Sequence, residues 1–490
     1  MRGRRPRPLD EGSECIDMSH KEVVLYWIIL REGKKIIKLI KGLLEHFTEK
    51  VTEKPTNHSG TPRVIPRHEH AISRNAISPN ALKVLYRLNN AGFSAYLVGG
   101  CVRDILLNRR PKDFDVATNA LPEEIRKLFK NCCLIGKRFR LAHILFGKEV
   151  IEVATFRSPH KEGQEQHGHT HKGMIIRDNV YGSIEEDAWR RDFTVNALYY
   201  NIADFSVLDY TNGMEDLKNH TLRMIGNPEH RFHEDPVRLL RAARFAGKLD
   251  LKFSKETEAP LLELSYLLQH VSGARLYQEV LKFFQEGATL PTFRLMQKYQ
   301  FFHSLFPATA LALKEEQALK LLEDALANTD QRAQEGKTVS PTFLFAVFLW
   351  HPIAQQMKQN ESETLPPYPA LEKAIRSVLR EQTKILTIPR RLQMAIHDIC
   401  LLQHRLTCRH GQTPHRLLNH PRFRAAYDLL LLRAGSGESI QELGTWWMQF
   451  YAGTHTQRET MIKEIHQSRA PSQKRSFRGR KKKSKTHPIT

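Results

Sequence analysis

The spacing of apolar residues changes along this chain, and each change marks a part of it. Near the start, the run VVLYWIIL over Val23–Leu30 is far shorter than the roughly 20 residues that cross a bilayer. Behind it Ile36, Ile37, Leu39, Ile40, Leu43, Leu44 and Phe47 recur at helical spacing, with Lys34, Lys35, Lys38 and Lys41 between them. Residues 23–47 therefore hold a basic amphipathic helix, and three readings of it stand side by side: contact with an anionic membrane face, docking on the protein, and a poorly ordered extension. Thr48–Pro66 turns polar and Pro-bearing, which reads as a linker.

From Arg67 the pattern alternates between two periods. Ser78 and Pro79 are placed as N-cap and first residue of a helix over ALKVLYRLNNAG, which Gly92 ends. Tyr96, Leu97 and Val98 predict a buried strand, followed by a short helix from Val102 and a strand carrying Asp113 and Asp115. A helix over Leu121–Phe129 and strands over His143–Phe146 and Val150–Phe156 complete a small mixed sheet with helices. DAWRRDFTVNALYY reads as one helix, with Trp189, Phe193 and Ala197 on an apolar ridge and Asp192 and Asn196 on the adjacent one. HEDPVRLLRAARFAGKL predicts another, with Asp235 as N-cap and Pro236 at N1. Arg238, Arg241 and Arg244 step along one side of it and Leu239, Ala242, Ala243 and Ala246 along the other; the arginines suit phosphate or base edges, or an exposed basic face. From Lys255 to about Ser468, apolar residues keep helical spacing, interrupted at ESETLPPYPA and TIPRR, without an internal repeat. The fold class is thus α+β, a small mixed-sheet head followed by packed helices.

Charge narrows the class of partner. The 490 residues hold 75 Lys and Arg against 53 Asp and Glu, a formal charge of +22 that attracts polyanions. Six cysteines, irregularly spaced and without a CxxC pair, argue against a disulfide framework or zinc site and fit a reducing cytoplasm. His167, His169 and His171 alternate among Gly163, Gly168 and Gly173, a pattern that fits a flexible loop better than a metal site. The closing stretch SRAPSQKRSFRGRKKKSKTHPIT cannot bury a core; Lys481, Lys482 and Lys483 sit in its densest basic run, which suits a nonspecific grip on a polyanion or a solubilising tail.

Candidate chemistry concentrates in LVGGCVRDILLNRRPKDFDVAT, from Leu97 to Thr118. Gly99 and Gly100 expose backbone amides at a helix start, where a polyphosphate can sit. Asp113 and Asp115, spaced i, i+2, would share one strand face, and paired carboxylates are costly unless a divalent cation neutralises them. In EVIEVATF, Glu152 shares a face with Val150 and Ala154, so a carboxylate points where an apolar side chain is expected; it either pairs with Arg157 or joins the aspartates around a metal. Together these features suggest a nucleoside triphosphate held beside magnesium.

Four motifs in order, GGCVRD with DFD, RRDFTVNAL, DYTNGMEDL from Asp209 and EDPVRLLRAARF, resemble those of class II template-independent nucleotidyltransferases, the family of bacterial poly(A) polymerases and tRNA CCA-adding enzymes. The resemblance covers about Arg67 to Gln285 and implies a nucleotidyltransferase head at 67–222 and a helical neck at 223–285; spacing and composition add a helical body at 286–467, an extension and linker at 1–66 and a basic tail at 468–490. It implies two magnesium ions on Asp113 and Asp115, with Glu152 and Asp192 both candidates for a third carboxylate. ATP would lie on Gly99, Gly100, Arg103, Arg191, Asn196 and Arg241, its base read by Asp235 and Arg238. LIGKRFRLAHI, over Leu134–Ile144, resembles the signature that separates poly(A) polymerases from CCA-adding enzymes, with Lys137, Arg138 and Arg140 around Phe139 as a basic, stackable strip for RNA. Some CCA-adding relatives carry a C-terminal phosphohydrolase domain with His-Asp ligands, whereas here His397 and Asp398 stand inside an ordinary helical pattern. The expected activity is AMP transfer from ATP to the 3′ ends of RNA such as mRNA, decay intermediates and small RNAs, in the cytoplasm. A CCA-adding enzyme of the same fold and a catalytically idle RNA-binding protein are the alternatives.

Overall fold

The computed structural model describes residues 60–136, 140–158, 170–171, 174–175, 180–362 and 365–468. Eight strands form one mixed sheet: β1 (Arg63–Ile65), β2 (Ala95–Val98), β3 (Asp115–Thr118), β4 (Cys132–Ile135), β5 (Leu141–Phe146), β6 (Glu149–Thr155), β7 (Leu198–Asn201) and β8 (Val207–Asp209). Their spatial order is β1-β8-β7-β2-β3-β6-β5-β4. β3 and β6 run parallel and every other neighbouring pair antiparallel; the Pro122–Leu128 helix and the β4–β5 hairpin supply the long connection that a parallel pair requires. β1 pairs along β8 and buries Ile65, so Arg63–Ile65, ahead of the expected start at Arg67, already belongs to the sheet.

Strand alternation separates the two faces of the sheet. Leu97, Val116, Ile144, Ile151, Val153 and Leu198 enter the main core, which the Pro79–Asn90 helix covers with Ala81, Val84, Leu85 and Leu88. That helix starts as expected, with the Ser78 hydroxyl accepting from the Asn80 amide and Pro79 in the first turn. Among the described residues the opposite face carries a smaller cluster of Val98, Ala117, Phe156, Ala188 and Tyr199, beneath the Ile184–Arg190 helix. Asp115 and Glu152 lie on this second face.

DAWRRDFTVNALYY is not one helix. Its helix stops at Arg190, residues 194–196 make a single 3-10 turn, and Leu198–Asn201 becomes β7 between β2 and β8. Sheet pairing and the aromatic pair Tyr199 and Tyr200 outweigh the local helical spacing. The arginine-bearing helix spans Val237–Leu249, with Pro236 at the N-cap position one residue later than expected, while the Asp235 side chain still accepts from the Val237 amide at 3.2 Å.

Beyond the large sheet, Thr170–His171 pairs antiparallel with Met174–Ile175 and Thr221–Leu222 parallel with Lys252–Phe253, and the described elements from Lys255 through His455–Ser468 are helical. Helices break at Ser362 and Ile385, by the two Pro-bearing interruptions. The Pro341–Ser362 helix is buried on all sides over 344–353, and its Phe345 and Phe348 pack with Phe284, Phe302 and Phe306 at ring separations of 5.1 to 6.1 Å. Among the described residues no helix is long and apolar enough to cross a membrane. The segment 23–47, Lys137, Arg138, His167, His169 and Lys481 to Lys483 lie outside the described residues.

Candidate active site

A row of polar side chains crosses four adjacent strands. Asp115 of β3 pairs in register with Glu152 of β6, Glu152 with His143 of β5, and His143 with Cys133 of β4. Asp115 opens β3, whereas Asp113 lies in the exposed bend before it; the two aspartates therefore do not share a strand face, although Asp113 is near enough to act on Asp115 electrostatically. Glu152 also departs from expectation. Ile151, Val153 and Thr155 form the buried side of β6, and the Glu152 side chain is 47% exposed, with its Oε1 3.5 Å from His143 Nε2. Burial, then the neighbouring Glu152, push the Asp115 carboxyl up to about 6, with Arg191 opposing and Asp113 adding to the rise. Such mutual repulsion among oxygen donors fits a hard divalent cation. Among the described residues no three His, Cys, Asp or Glu side chains form a ready-made metal cage, and magnesium characteristically takes one or two carboxylates and completes its shell with water and substrate phosphates.

The glycine turn borders this row. Gly99 has φ +76 and ψ −131, a conformation that L side chains rarely adopt, and a Cβ there would come 3.4 Å from Arg191 Nη1. Arg191 Nε and Nη2 donate to Asp187 Oδ2, and the Tyr199 hydroxyl donates to the same oxygen. Behind the turn, buried Arg103 donates to Asp104 Oδ1 and, through Nη1, to Asn196 Oδ1 at 2.5 Å. Asn196 donates in turn to Asp192 Oδ1, which also accepts from the Phe193 amide, while Arg241 Nε donates to Asp192 Oδ2 at 2.8 Å. Burial alone would push Asp192 up, but Arg241, Asn196 and the Phe193 amide hold it well below the ordinary carboxylate range. Arg103, Arg241 and Arg244 all lie against the Phe245 ring, 4.5 to 5.3 Å from its centroid.

DYTNGMEDL fixes this loop from outside. The Asp209 carboxylate accepts from the amides of Thr211, Gly213 and Met214, and Asp216 accepts from the Thr194 hydroxyl. A Cβ on Gly213 would fall 2.3 Å from the Thr194 carbonyl oxygen, so only glycine allows this approach.

The arginine side of the Val237–Leu249 helix is not an exposed basic strip. Arg238 Nη1 donates to Glu234 and to the Arg231 carbonyl, Arg241 holds Asp192, and Arg244 pairs with Glu286 and Glu279. Asp235 accepts both hydrogen bonds of Arg275, at 3.0 and 2.8 Å. Arg140, one residue before β5, is exposed and paired with Glu123. Asp104, Asp187, Tyr199, Phe245, Arg275 and His143 were absent from the sequence-derived site; only the i, i+4 spacing of Asp187 and Arg191 announces itself locally.

Three family models match the chain: Poly A polymerase head domain over residues 95–223, Probable RNA and SrmB-binding site of polymerase A over 250–313, and Polymerase A arginine-rich C-terminus over 363–483. Poly(A) polymerase I of Salmonella typhi is 48% identical over 423 residues, covering 84% of this chain and 91% of that protein. The CCA-adding enzyme of Enterococcus faecalis is 40% identical over 210 residues, covering 42% of this chain and 49% of that protein. Among solved structures, the Bacillus stearothermophilus CCA-adding enzyme in complex with CTP shares the fold at a TM-score of 0.52 and 21% identity, covering 80% of this chain and 83% of that one.

Proposed function

Since the chain belongs to the bacterial poly(A) polymerase family, we propose that its head, 63–222, transfers AMP from ATP to RNA 3′ ends without a template, while the neck, 223–285, selects the base and the helical body, 286–467, carries the RNA. The observation that carries this reading is the similarity to Poly(A) polymerase I along 84% of the chain, against 42% for a CCA-adding relative.

Asp113, Asp115 and Glu152 are the carboxylates that would hold Mg2+ in this reading, and the ion would supply charge neutralisation for the triphosphate and the RNA 3′ oxygen. Glu152 is the third carboxylate because it neighbours Asp115 in register and presents a half-exposed carboxylate contacted only at Oε1, by His143, among the described residues, whereas both oxygens of Asp192 are engaged. Asp192 instead holds Arg241 and Asn196 in place beside the nucleotide. The turn at Gly99 and Gly100 brings backbone close to the phosphates, and Arg191, fixed by Asp187, lends them positive charge. Arg103 and Asn196 brace the turn from behind. Asp235 offers an acceptor to the exocyclic amino group of the base and Arg238 a donor to the ring nitrogen beside it. Those two edges suit adenine and cytosine alike, so purine size must complete the choice of ATP. Arg140, with Lys137 and Arg138, contacts RNA, and the basic run at Lys481, Lys482 and Lys483 grips it nonspecifically.

A tRNA lacking its CCA end, offered to the full chain with ATP and CTP, tests the proposal. Continued AMP addition, independent of CTP, supports it. Addition of two CMP and one AMP followed by a stop overturns it in favour of CCA addition.

A further inference from the structure

The half-exposed Glu152 carboxylate has unusual surroundings on its own face of the sheet. On β3, β5 and β6 that face carries Ala117, Leu141, Leu145, Val150 and Ala154, and besides Glu152 its only polar side chains are Asp115 and His143. Asp115 shares the negative charge of Glu152 and cannot orient it by attraction. His143 is the one hydrogen-bond donor available to it on those strands. Its ring stands on the carboxylate side of β5 because Ala142 and Ile144, to either side, are buried in the core. The imidazole is 20% exposed against 47% for the Glu152 side chain, so the more buried partner flanks the more exposed one.

We propose that His143 is a positioning residue for Glu152: Nε2 engages Oε1, 3.5 Å away here, and leaves Oε2 as the oxygen presented to a divalent cation on the Asp115 side. The separation is longer than a good hydrogen bond, and contacts of this kind tighten when the substrate complex forms. The arrangement matches a general property of metal centres, in which a ligating carboxylate is itself hydrogen-bonded by a neighbour that sets its direction. This inference rests on the reading of Glu152 as a metal-binding carboxylate.

The test compares wild type, His143→Gln, His143→Leu and Glu152→Gln as full-length proteins. Mn2+ binding is followed by electron paramagnetic resonance in the presence of a non-hydrolysable ATP analogue, and kcat and KM for ATP are measured separately. His143→Leu should weaken Mn2+ binding and lower kcat by about 10- to 100-fold, the usual scale for a neighbour of a metal ligand, without raising KM for ATP. His143→Gln, which restores an N–H donor, should stay near wild type. Mn2+ binding by His143→Leu as tight as wild type overturns the proposal while Glu152→Gln binds weakly. So does equal damage in the Gln and Leu variants, which would mark the imidazole as a packing element. Wild-type Mn2+ binding and turnover by Glu152→Gln would instead overturn the reading of Glu152 itself, and the positioning role with it.

Discussion

Removing the charge of Asp115 should stabilise the protein it disables. Burial and the neighbouring Glu152 raise this carboxyl from the ordinary 3.8 to about 6. A carboxyl raised on folding is ionised at neutral pH at a cost to the folded state that the unfolded chain does not bear. From those two values the cost is about 3 kcal/mol at pH 7.5 and about 1 kcal/mol at pH 4.5, and it vanishes below the unfolded value. The sign is thus opposite to that of a salt-bridged aspartate: stability from this group falls as pH rises between about 4 and 6. In EDTA, Asp115→Asn should resist urea better than wild type at pH 7.5, by an amount approaching that cost less the burial of a neutral amide, and the advantage should shrink by about 2 kcal/mol at pH 4.5. Mg2+ with an ATP analogue should stabilise wild type more than the variant, because the substitution removes one of the carboxylates that would hold the ion. Equal or lower stability of Asp115→Asn at both pH values would refute the account of a carboxylate held under strain for a cation.

Asp192→Asn should behave differently, losing about 1 to 3 kcal/mol because it leaves the partly buried Arg241 guanidinium without its charged partner; a urea double-mutant cycle with Arg241→Leu should return a clear coupling energy, and additive single losses would count against the pair. Arg238→Ala should blur nucleotide choice, reducing the kcat/KM preference for ATP over other NTPs by roughly 1 to 3 kcal/mol, by analogy with readout of base edges; an unchanged preference would remove Arg238 from base recognition. Deleting residues after Ser468 should weaken RNA binding and flatten its salt dependence by roughly 0.7 in slope for each lost phosphate contact, leaving the first AMP addition intact; coincident binding curves would mean that the tail does not grip RNA.

Local signals carried much of the fold. The Ser78–Pro79 cap, the Leu97 strand and the Pro-bearing breaks between body helices each depend on a few adjacent residues, and the structure has them. What failed depended on partners far along the chain. β7 hides inside DAWRRDFTVNALYY because its strand neighbours, β2 and β8, are invisible to helical spacing. In EVIEVATF both alternating sets contain apolar residues, and the core took the bulkier Ile151 and Val153, turning Glu152 outward. The carboxylate row needs the parallel register of β3 on β6, and the Asp192–Arg241 pair joins residues 49 positions apart. Alternation along EVIEVATF singles out Glu152 and the RRDFTVNAL motif Asp192; only the strand order separates their surroundings.

The most direct test of the central claim is single-turnover AMP transfer from ATP to an unstructured RNA by Glu152→Gln, with RNA and ATP binding measured on the same preparation. If Asp113, Asp115 and Glu152 hold the metal for polyadenylation, transfer should fall by about 10³-fold or more, the equivalent of several kcal/mol of lost charge stabilisation, while both ligands still bind. Transfer near the wild-type rate would contradict the claim.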